Sequence, residues 1–545
     1  MSPTRREILA QLAAIAMLPH LPDLPVIRNH QGPGEDALDG TVAAYQAGRR
    51  RGDWNAVDVA RRALERCRTD GTRWRAIDAL ADEAGLLAAA RAADDRLRAG
   101  RLLGPLDGVP VFAKSIYDMG GLPTTASSAE WARLFPEAVR RDALEVARLR
   151  AAGAIVLGKT AADDFAYRGV GTSSHTGQVL NPYDRTGTRT PGGSSAGSAA
   201  AVAGGMAFAA LGTDDGGSNR IPAVCTGVVG VKPTFGLVPR SGVIPTWPWL
   251  DTHGPLARTV QDAALMLAAI AGADASDPLA LPRVPGVASF DAGALHAFRD
   301  DALAGVRLGI VELHVPREQM TAEALATWER AVADLHAAGA IVEAFESPVT
   351  RANFVELFKA AAAARGDIEP SPRSPAPTAS ALFQYFAGRS ADPRAAIRRG
   401  YAAYHEFYDV LPETYEECEP LFERPMTDDP AGRSFGRSRV EVVIGLEKAM
   451  LAAGVKALVY PTMPFNAFSL AEGWPDVRTP LGYGNWLGLP EVSVPAGPGA
   501  DGLPALSLSI VGLPGEDARI LAFAHAYEQQ SQRFVAPPRA VEGSG

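Results

Sequence analysis

Residues 108–115 read Gly108-Val109-Pro110-Val111-Phe112-Ala113-Lys114-Ser115, a short apolar run that follows a glycine and ends in a lysine. Five apolar residues are too few for a helix and are what a strand buried on both faces shows. A helical stretch from Asp142 to Ala152 follows, then further apolar runs at Ala154 to Leu157 and Met206 to Leu211. Short runs bounded by Gly or Pro and alternating with helices predict an α/β architecture with both sheet faces covered. The alternation resumes with Val306 to Val311, a helix from about Thr321 to Ala338, and Ile341 to Phe345. A helix near Val440 to Ala453, a strand at Ala457 to Tyr460 and a hairpin through Val492/Val494, Asp501-Gly502 and Leu506/Leu508/Ile510 bring the chain back to the sheet.

Because the pattern returns, one large domain over 37–545 is predicted. Residues 37 to 100 have helical periodicity throughout, with Ala-rich runs ending at Gly100. Between about 348 and 435 the alternation lapses. Pro370, Pro372, Pro375 and Pro377 precede Phe383, Tyr385, Phe386, Tyr401, Tyr404, Phe407 and Tyr408, which read as packing aromatics of a helical insertion, with a lid over a site as the functional alternative. At the N-terminus, Arg5-Arg6 before a modest apolar segment resembles a twin-arginine export signal, and a Pro/Gly-rich linker completes residues 1–36. Export to the periplasm is the localisation this suggests; otherwise the chain is cytoplasmic. The segment is too short for a stable membrane span.

The composition, 47% hydrophobic and 21% charged over 545 residues, is that of a folded globular protein. A net charge of −9 excludes the basic footprint that nucleic acid requires. Three cysteines, at 67, 225 and 418, show no Cys-x-x-Cys spacing, so neither a metal site nor a disulfide framework is suggested. Six lysines stand against 47 arginines. A base must be able to lose its proton, which arginine cannot do, so each lysine is a candidate.

Three segments carry chemistry. Lys114 ends a buried-type strand, where desolvation would favour a neutral amine able to act as general base; a lysine snorkelling from a strand end is the plainer alternative. Thr190-Pro191-Gly192-Gly193-Ser194-Ser195-Ala196-Gly197-Ser198 is a Gly-rich turn entering a helix. It is no phosphate loop, because the Gly-Lys-Ser/Thr step is missing. Leu211-Gly212-Thr213-Asp214-Asp215-Gly216-Gly217-Ser218-Asn219-Arg220 places a hydroxyl after two glycines, so that the amides of 215 to 218 can face a developing oxyanion, each donor worth about 3 kcal/mol. A helix cap at Ser218 is the structural alternative. Taken together, no histidine occurs in these segments. Lys114 is therefore the base candidate for a serine, and Ser194 can extend its reach.

These residues resemble the amidase signature family, which places a lysine at a strand end, a bridging serine in a cis peptide within a Gly-Gly-Ser-Ser-like loop, and a nucleophilic serine closing a Gly-Thr-Asp-x-Gly-Gly-Ser loop. The likeness continues through Gly230-Val231-Lys232-Pro233-Thr234, Leu250-Asp251, Gly254-Pro255-Leu256-Ala257-Arg258, Tyr460-Pro461-Thr462, Gly488-Leu489-Pro490 and Pro495-Ala496-Gly497. It implies an α/β/α sandwich with a large mixed central sheet covered by helices on both faces. It also implies Lys114 as base, Ser194 as bridge, Ser218 as nucleophile, and backbone oxyanion donors at Asp215, Gly216, Gly217 and Ser218. The implied reaction is carboxamide C–N hydrolysis through a Ser218 acyl-enzyme, with esters or carbamates also open, on a small-molecule substrate. No cofactor and no metal are called for, and a homodimer stays open. Two positions depart from the pattern: Ser115 stands where the family usually has Asp, and Asp215 where it has a small or apolar residue. The second puts a carboxylate beside the oxyanion site.

The alternatives differ in class. A glutamine-hydrolysing amidotransferase subunit would use the same three residues to release ammonia for a partner, and a non-catalytic binding protein could share the fold. Gly193-Ser194-Ser195-Ala196-Gly197 also satisfies Gly-x-Ser-x-Gly, but a Ser195 nucleophile needs a strand just before it and a later His, and His525 falls in a helical pattern. His253 reads as packing or pocket lining, and Cys225 as a small core residue.

Overall fold

The computed structural model describes residues 36–280, 298–311, 315–350, 352–477, 479–499 and 501–538. The twin-arginine segment lies outside the described residues. Among the described residues the thirteen strands are β1 (Ile77–Leu80), β2 (Pro110–Lys114), β3 (Ile155–Thr160), β4 (Thr172–Ser173), β5 (Gly177–Gln178), β6 (Ala209–Thr213), β7 (Val229–Lys232), β8 (His253–Ala257), β9 (Arg307–Ile310), β10 (Ile341–Ala344), β11 (Ala457–Pro461), β12 (Glu491–Pro495) and β13 (Ser507–Val511). β4 and β5 pair only with each other. The other eleven form one mixed sheet in the order β1-β3-β2-β6-β8-β7-β12-β13-β11-β9-β10. β2 runs parallel to β3 and β6, and β9 parallel to β10 and β11. Between these two parallel wings, β8, β7, β12 and β13 are antiparallel to their neighbours.

Every residue of β2, β3, β6, β11, β12 and β13 is buried, whereas the edge strands β1 and β10 are partly exposed. Burial on both faces explains why the central strands read as continuous apolar runs. Ala196–Ala203 packs on β6 and β8, Val260–Ile270 on β8, and Asp517–Ser531 on β12 and β13, completing an α/β fold with a covered mixed sheet. Side-chain caps fix several helix starts. Thr259 accepts from Asp262 N, and Thr321 from Ala324 N, satisfying amides the helix cannot.

The strands predicted at 109–113, 154–157, 306–311, 341–345 and 457–460 are found within a few residues. β6 starts later than its apolar run, at Ala209, because Met206 N still donates to Ala201 O at the end of the preceding helix. Five strands went unpredicted: the short pair β4 and β5, and three strands of the large sheet. β1 lies inside the stretch predicted to be helical; four half-exposed residues at an edge carry too little periodicity to announce a strand. β7 is four residues long, and β8 contains Gly254 and Pro255, which break its apolar run. The helix predicted from Val440 begins at Pro430, capped by Asp429, which accepts from Gly432 N at 2.6 Å. Its first turns carry Gly432, where a Cβ would meet Trp249 Nε1 at 2.2 Å, so tight packing has displaced the usual helix formers there.

Residues 354–428 hold helices, with no strand among those described. Their aromatics pack inward: Phe386 and Tyr404 meet Trp131 at ring-centroid distances of 5.9 and 6.4 Å, and Phe407 meets Phe165 at 5.1 Å.

Candidate active site

β2 and β6 are parallel neighbours, so their last residues, Lys114 and Thr213, emerge side by side at the carboxyl ends of the strands, where open α/β sheets bind ligands. Lys114 Nζ is buried, donating to Ser194 Oγ at 2.6 Å and Thr213 Oγ1 at 2.9 Å. Ser194 follows a cis peptide bond from Gly193. A Cβ on Gly193 would lie 2.1 Å from Asp163 Oδ2 and 2.8 Å from Gly171 N, so only glycine fits against that wall. Ser195 N donates to Ser218 O at 3.2 Å, which ties the Ser194 loop to the Ser218 loop. Ser218 is 8% exposed, and its Oγ has no hydrogen-bond partner among the described residues.

The Ser218 loop is held from below. Asp214 accepts from Gly217 N at 2.7 Å, Asn219 N at 3.2 Å and the Arg220 guanidinium at 2.9 and 3.0 Å. Arg220 in turn donates to Glu491 Oε2 at 2.8 Å, and Asn485 Nδ2 donates to Asp214 O at 2.7 Å. Burial alone would raise the Asp214 pKa, but Arg220 outweighs it and holds the carboxyl well below the usual range. Buried charges persist only when paired and hydrogen-bonded in this way. The network alters the expected oxyanion donors. Gly217 N–H is already spent on Asp214, leaving the amides of Asp215, Gly216 and Ser218, which donate to nothing among the described residues.

Three lysines are buried: 114, 159 and 232. Desolvation lowers Lys114 and Lys159 to about 8 and Lys232 to about 7, so burial by itself singles out none of them. The partners do. Lys159 Nζ donates to Pro123 O and Thr124 Oγ1, and Lys232 Nζ to Pro233 O, while only Lys114 reaches a serine of the Gly-rich loop. Asp163, accepting from Thr172 N at 2.6 Å, lies near Lys114, with its carboxyl pushed up to about 7 by burial.

Both departures from the family pattern now have structural accounts. Ser115 Oγ accepts from Ser127 Oγ at 2.8 Å, and Ser127 Oγ accepts from Ala162 N, so a pair of hydroxyls braces the strand end beside Lys114. The Asp215 carboxyl is buried, and its Oδ1 has no hydrogen-bond partner. Burial first, then the charge of Asp251, pushes its pKa well above the usual range. Thr213 and Asp251 were not singled out from sequence. Both lie inside quoted motifs, yet spacing alone cannot say which side chains of a loop turn inward.

The rival nucleophile fails on geometry. Ser195 opens the helix Ala196–Ala203 with no strand before it, and its Oγ donates to Thr213 O and Asn219 Oδ1. His525 sits on the helix Asp517–Ser531 against Asp300. His253 Nδ1 contacts Glu145 Oε1 at 2.6 Å and lines a cavity of about 730 Å³ together with Asp118, Arg240, Asp251 and Tyr385. Cys225 is buried, and burial raises its thiol. Among the described residues no cluster of His, Cys, Asp and Glu could hold a metal ion, and no helix is long and apolar enough to cross a membrane.

Comparison with known proteins gives the family. The Amidase family profile matches residues 58–385. The A subunit of glutamyl-tRNA(Gln) amidotransferase from Symbiobacterium thermophilum is 36% identical over 521 residues, covering 91% of this chain and 97% of its own. Among solved structures, the native peptide amidase from Stenotrophomonas maltophilia superposes with TM-score 0.71 at 31% identity, covering 91% of this chain and 98% of its own. The A subunit of the Thermotoga maritima glutamyl-tRNA(Gln) amidotransferase does so with TM-score 0.62 at 25% identity, covering 88% and 94%. The chain belongs to the amidase family, the amidase signature enzymes.

Proposed function

We propose that this protein hydrolyses a carboxamide C–N bond through a Ser218 acyl-enzyme, with Ser194 and Lys114 moving the proton. The observation that carries the reading is the 2.6 Å contact between a fully buried amine and Ser194 Oγ. As an ammonium, Lys114 donates in that contact; as a neutral amine, its lone pair accepts the Ser194 proton. Ser218 Oγ then attacks the carbonyl carbon while its proton passes to Ser194 and the Ser194 proton to Lys114. The resulting oxyanion meets the free amides of 215, 216 and 218. Collapse breaks the C–N bond, and the same relay run backwards protonates the leaving amine. Water, deprotonated along the same path, frees the acid. Esters and carbamates fit the same steps.

A second reading has specific support. Curated relatives at 34–36% identity are A subunits of glutamyl-tRNA(Gln) amidotransferase, which favours release of ammonia from glutamine for a partner protein. The higher TM-score to the peptide amidase, 0.71 against 0.62, supports the free-standing amidase. The test is a panel of amides, esters, carbamates and glutamine, run on wild type and Ser218→Ala. Turnover of several amides by wild type alone supports the amidase; turnover of glutamine only, with a co-purifying protein, supports the amidotransferase reading. Equal rates in wild type and Ser218→Ala refute both.

A further inference from the structure

The cavity that His253 lines is distinct from the candidate active site. About 730 Å³ in volume, enough for a small-molecule ligand, it is walled by β8, the 240–248 loop, the 274–277 turn and the helix Pro375–Ala387, and none of Lys114, Ser194 and Ser218 lines it. Most side-chain donors in its wall are spent. The Arg240 guanidinium is taken by Asp277 and Pro248 O, the Ser241 and Ser276 hydroxyls donate to Asp274, and Tyr385 OH donates to Asp118 Oδ1 at 3.0 Å. Arg141 and Gln384, which also line it, are exposed to solvent. Two buried acceptors are left over. Asp118, 6% exposed, receives Thr124, Tyr385 and Arg389 all on Oδ1, and its Oδ2 has no donor among the described residues. His253, 3% exposed, meets Glu145 Oε1 through Nδ1 at 2.6 Å. A carboxylate only accepts, so Nδ1 carries the hydrogen, and Nε2 of the neutral ring is an acceptor with no partner among the described residues.

The charges in the wall point the same way. Asp118, Asp142 and Asp277 are paired with Arg389, Arg150 and Arg240. The buried carboxyls of Asp251 and Asp274 receive only amides and hydroxyls and form no ion pair among the described residues. What such a surface lacks is a ligand that brings both hydrogen-bond donors and positive charge.

We propose that this cavity is a binding site for a protonated amine, with Asp118 Oδ2 and His253 Nε2 as the acceptors of its ammonium group and Leu144, Ile244 and Met426 lining the space for its carbon chain. An anion would meet two unsatisfied acceptors and two uncompensated carboxyls. A neutral hydroxyl or amide would satisfy the acceptors and leave the charges as they are. The site does not depend on the proposed Ser218 reaction, although it adjoins that machinery: His253 faces Thr213 across the β8–β6 pairing, and Thr213 Oγ1 is the second acceptor of Lys114.

The experiment is calorimetric titration of the full-length Ser218→Ala protein, in which turnover cannot contribute, with n-butylammonium chloride, n-butanol and sodium butyrate at neutral pH. Saturable binding of the ammonium, and of neither the alcohol nor the carboxylate, is expected. Adding Asp118→Asn, which keeps the side-chain shape and removes the charge, should weaken that binding by about tenfold, the worth of one charge-assisted hydrogen bond. Adding Ala381→Trp instead, which fills the cavity and alters none of the hydrogen bonds named above, should abolish it, with folding checked by circular dichroism. Butylammonium that binds a folded Ala381→Trp protein as tightly as its parent sits elsewhere, and that result overturns the proposal. So does unchanged affinity in a folded Asp118→Asn protein. Butanol or butyrate binding as tightly as the ammonium, or no saturable ammonium binding in the millimolar range, overturns it without recourse to any cavity variant. Since the readout is binding to a protein without the Ser218 hydroxyl, failure of the proposed reaction leaves this result untouched.

Discussion

Lys114 and Lys159 end up almost side by side, on the paired parallel strands β2 and β3, where Lys114 faces Thr160 and Ala113 faces Lys159. Both amines are fully buried, and desolvation lowers both to about 8. One is nevertheless closed off by a carbonyl and a threonine, while the other opens onto a serine in a loop that touches the Ser218 backbone. What separates a base from a structural lysine here is whether its partner can pass the proton on.

Substitutions can break that comparison. Lys114→Met should lower kcat by about 10²–10⁴-fold, the usual worth of a positioned acid–base group, with the fold retained by circular dichroism. Lys159→Met should leave kcat within a few-fold of wild type; a folded Lys159→Met protein as inactive as Lys114→Met would erase the distinction. Gly193→Ala forces the bridging loop off the Asp163 wall, and a displacement of about 1 Å in a catalytic group costs on the order of 10²-fold in kcat.

Smaller effects sharpen the comparison. Thr213→Val deletes the second acceptor of Lys114 while keeping its shape, and a loss of about 1 kcal/mol, roughly five- to tenfold in kcat, is expected in steady-state assays. The smallest effect is on stability. Lys159 titrates near 8 when folded and near its ordinary 10.5 when unfolded, so between those values the unfolded chain holds the extra proton and stability rises with pH. Below about 8 both forms are charged and the burial penalty is felt in full. Denaturant midpoints of Lys159→Met should therefore depend less on pH between 8 and 10 than those of wild type.

How much of this was legible beforehand follows from physical range. Runs such as Val109 to Ala113 announce themselves because both faces are buried, so every residue is apolar. β8 stays silent, because its pairing with β6 and β7 is a long-range fact and its own residues include Gly254 and Pro255. The candidate site was read as three motifs far apart in sequence, and the structure brings Lys114 and Ser194 into contact. It could not be read that Gly217 N–H serves Asp214, or that Asp215 Oδ1 is buried without a partner, since both depend on side-chain directions that no spacing encodes.

The central claim is that the Ser218 alcohol is activated through Ser194 by the Lys114 amine. The most direct measurement is peptide mass mapping after treatment with an activated phosphonate, in wild type, Lys114→Met and Ser218→Ala. One adduct on the peptide carrying Ser218, formed far more slowly in Lys114→Met and absent in Ser218→Ala, is the predicted result. An adduct on Ser195, or labelling at Ser218 indifferent to the loss of Lys114, would contradict it.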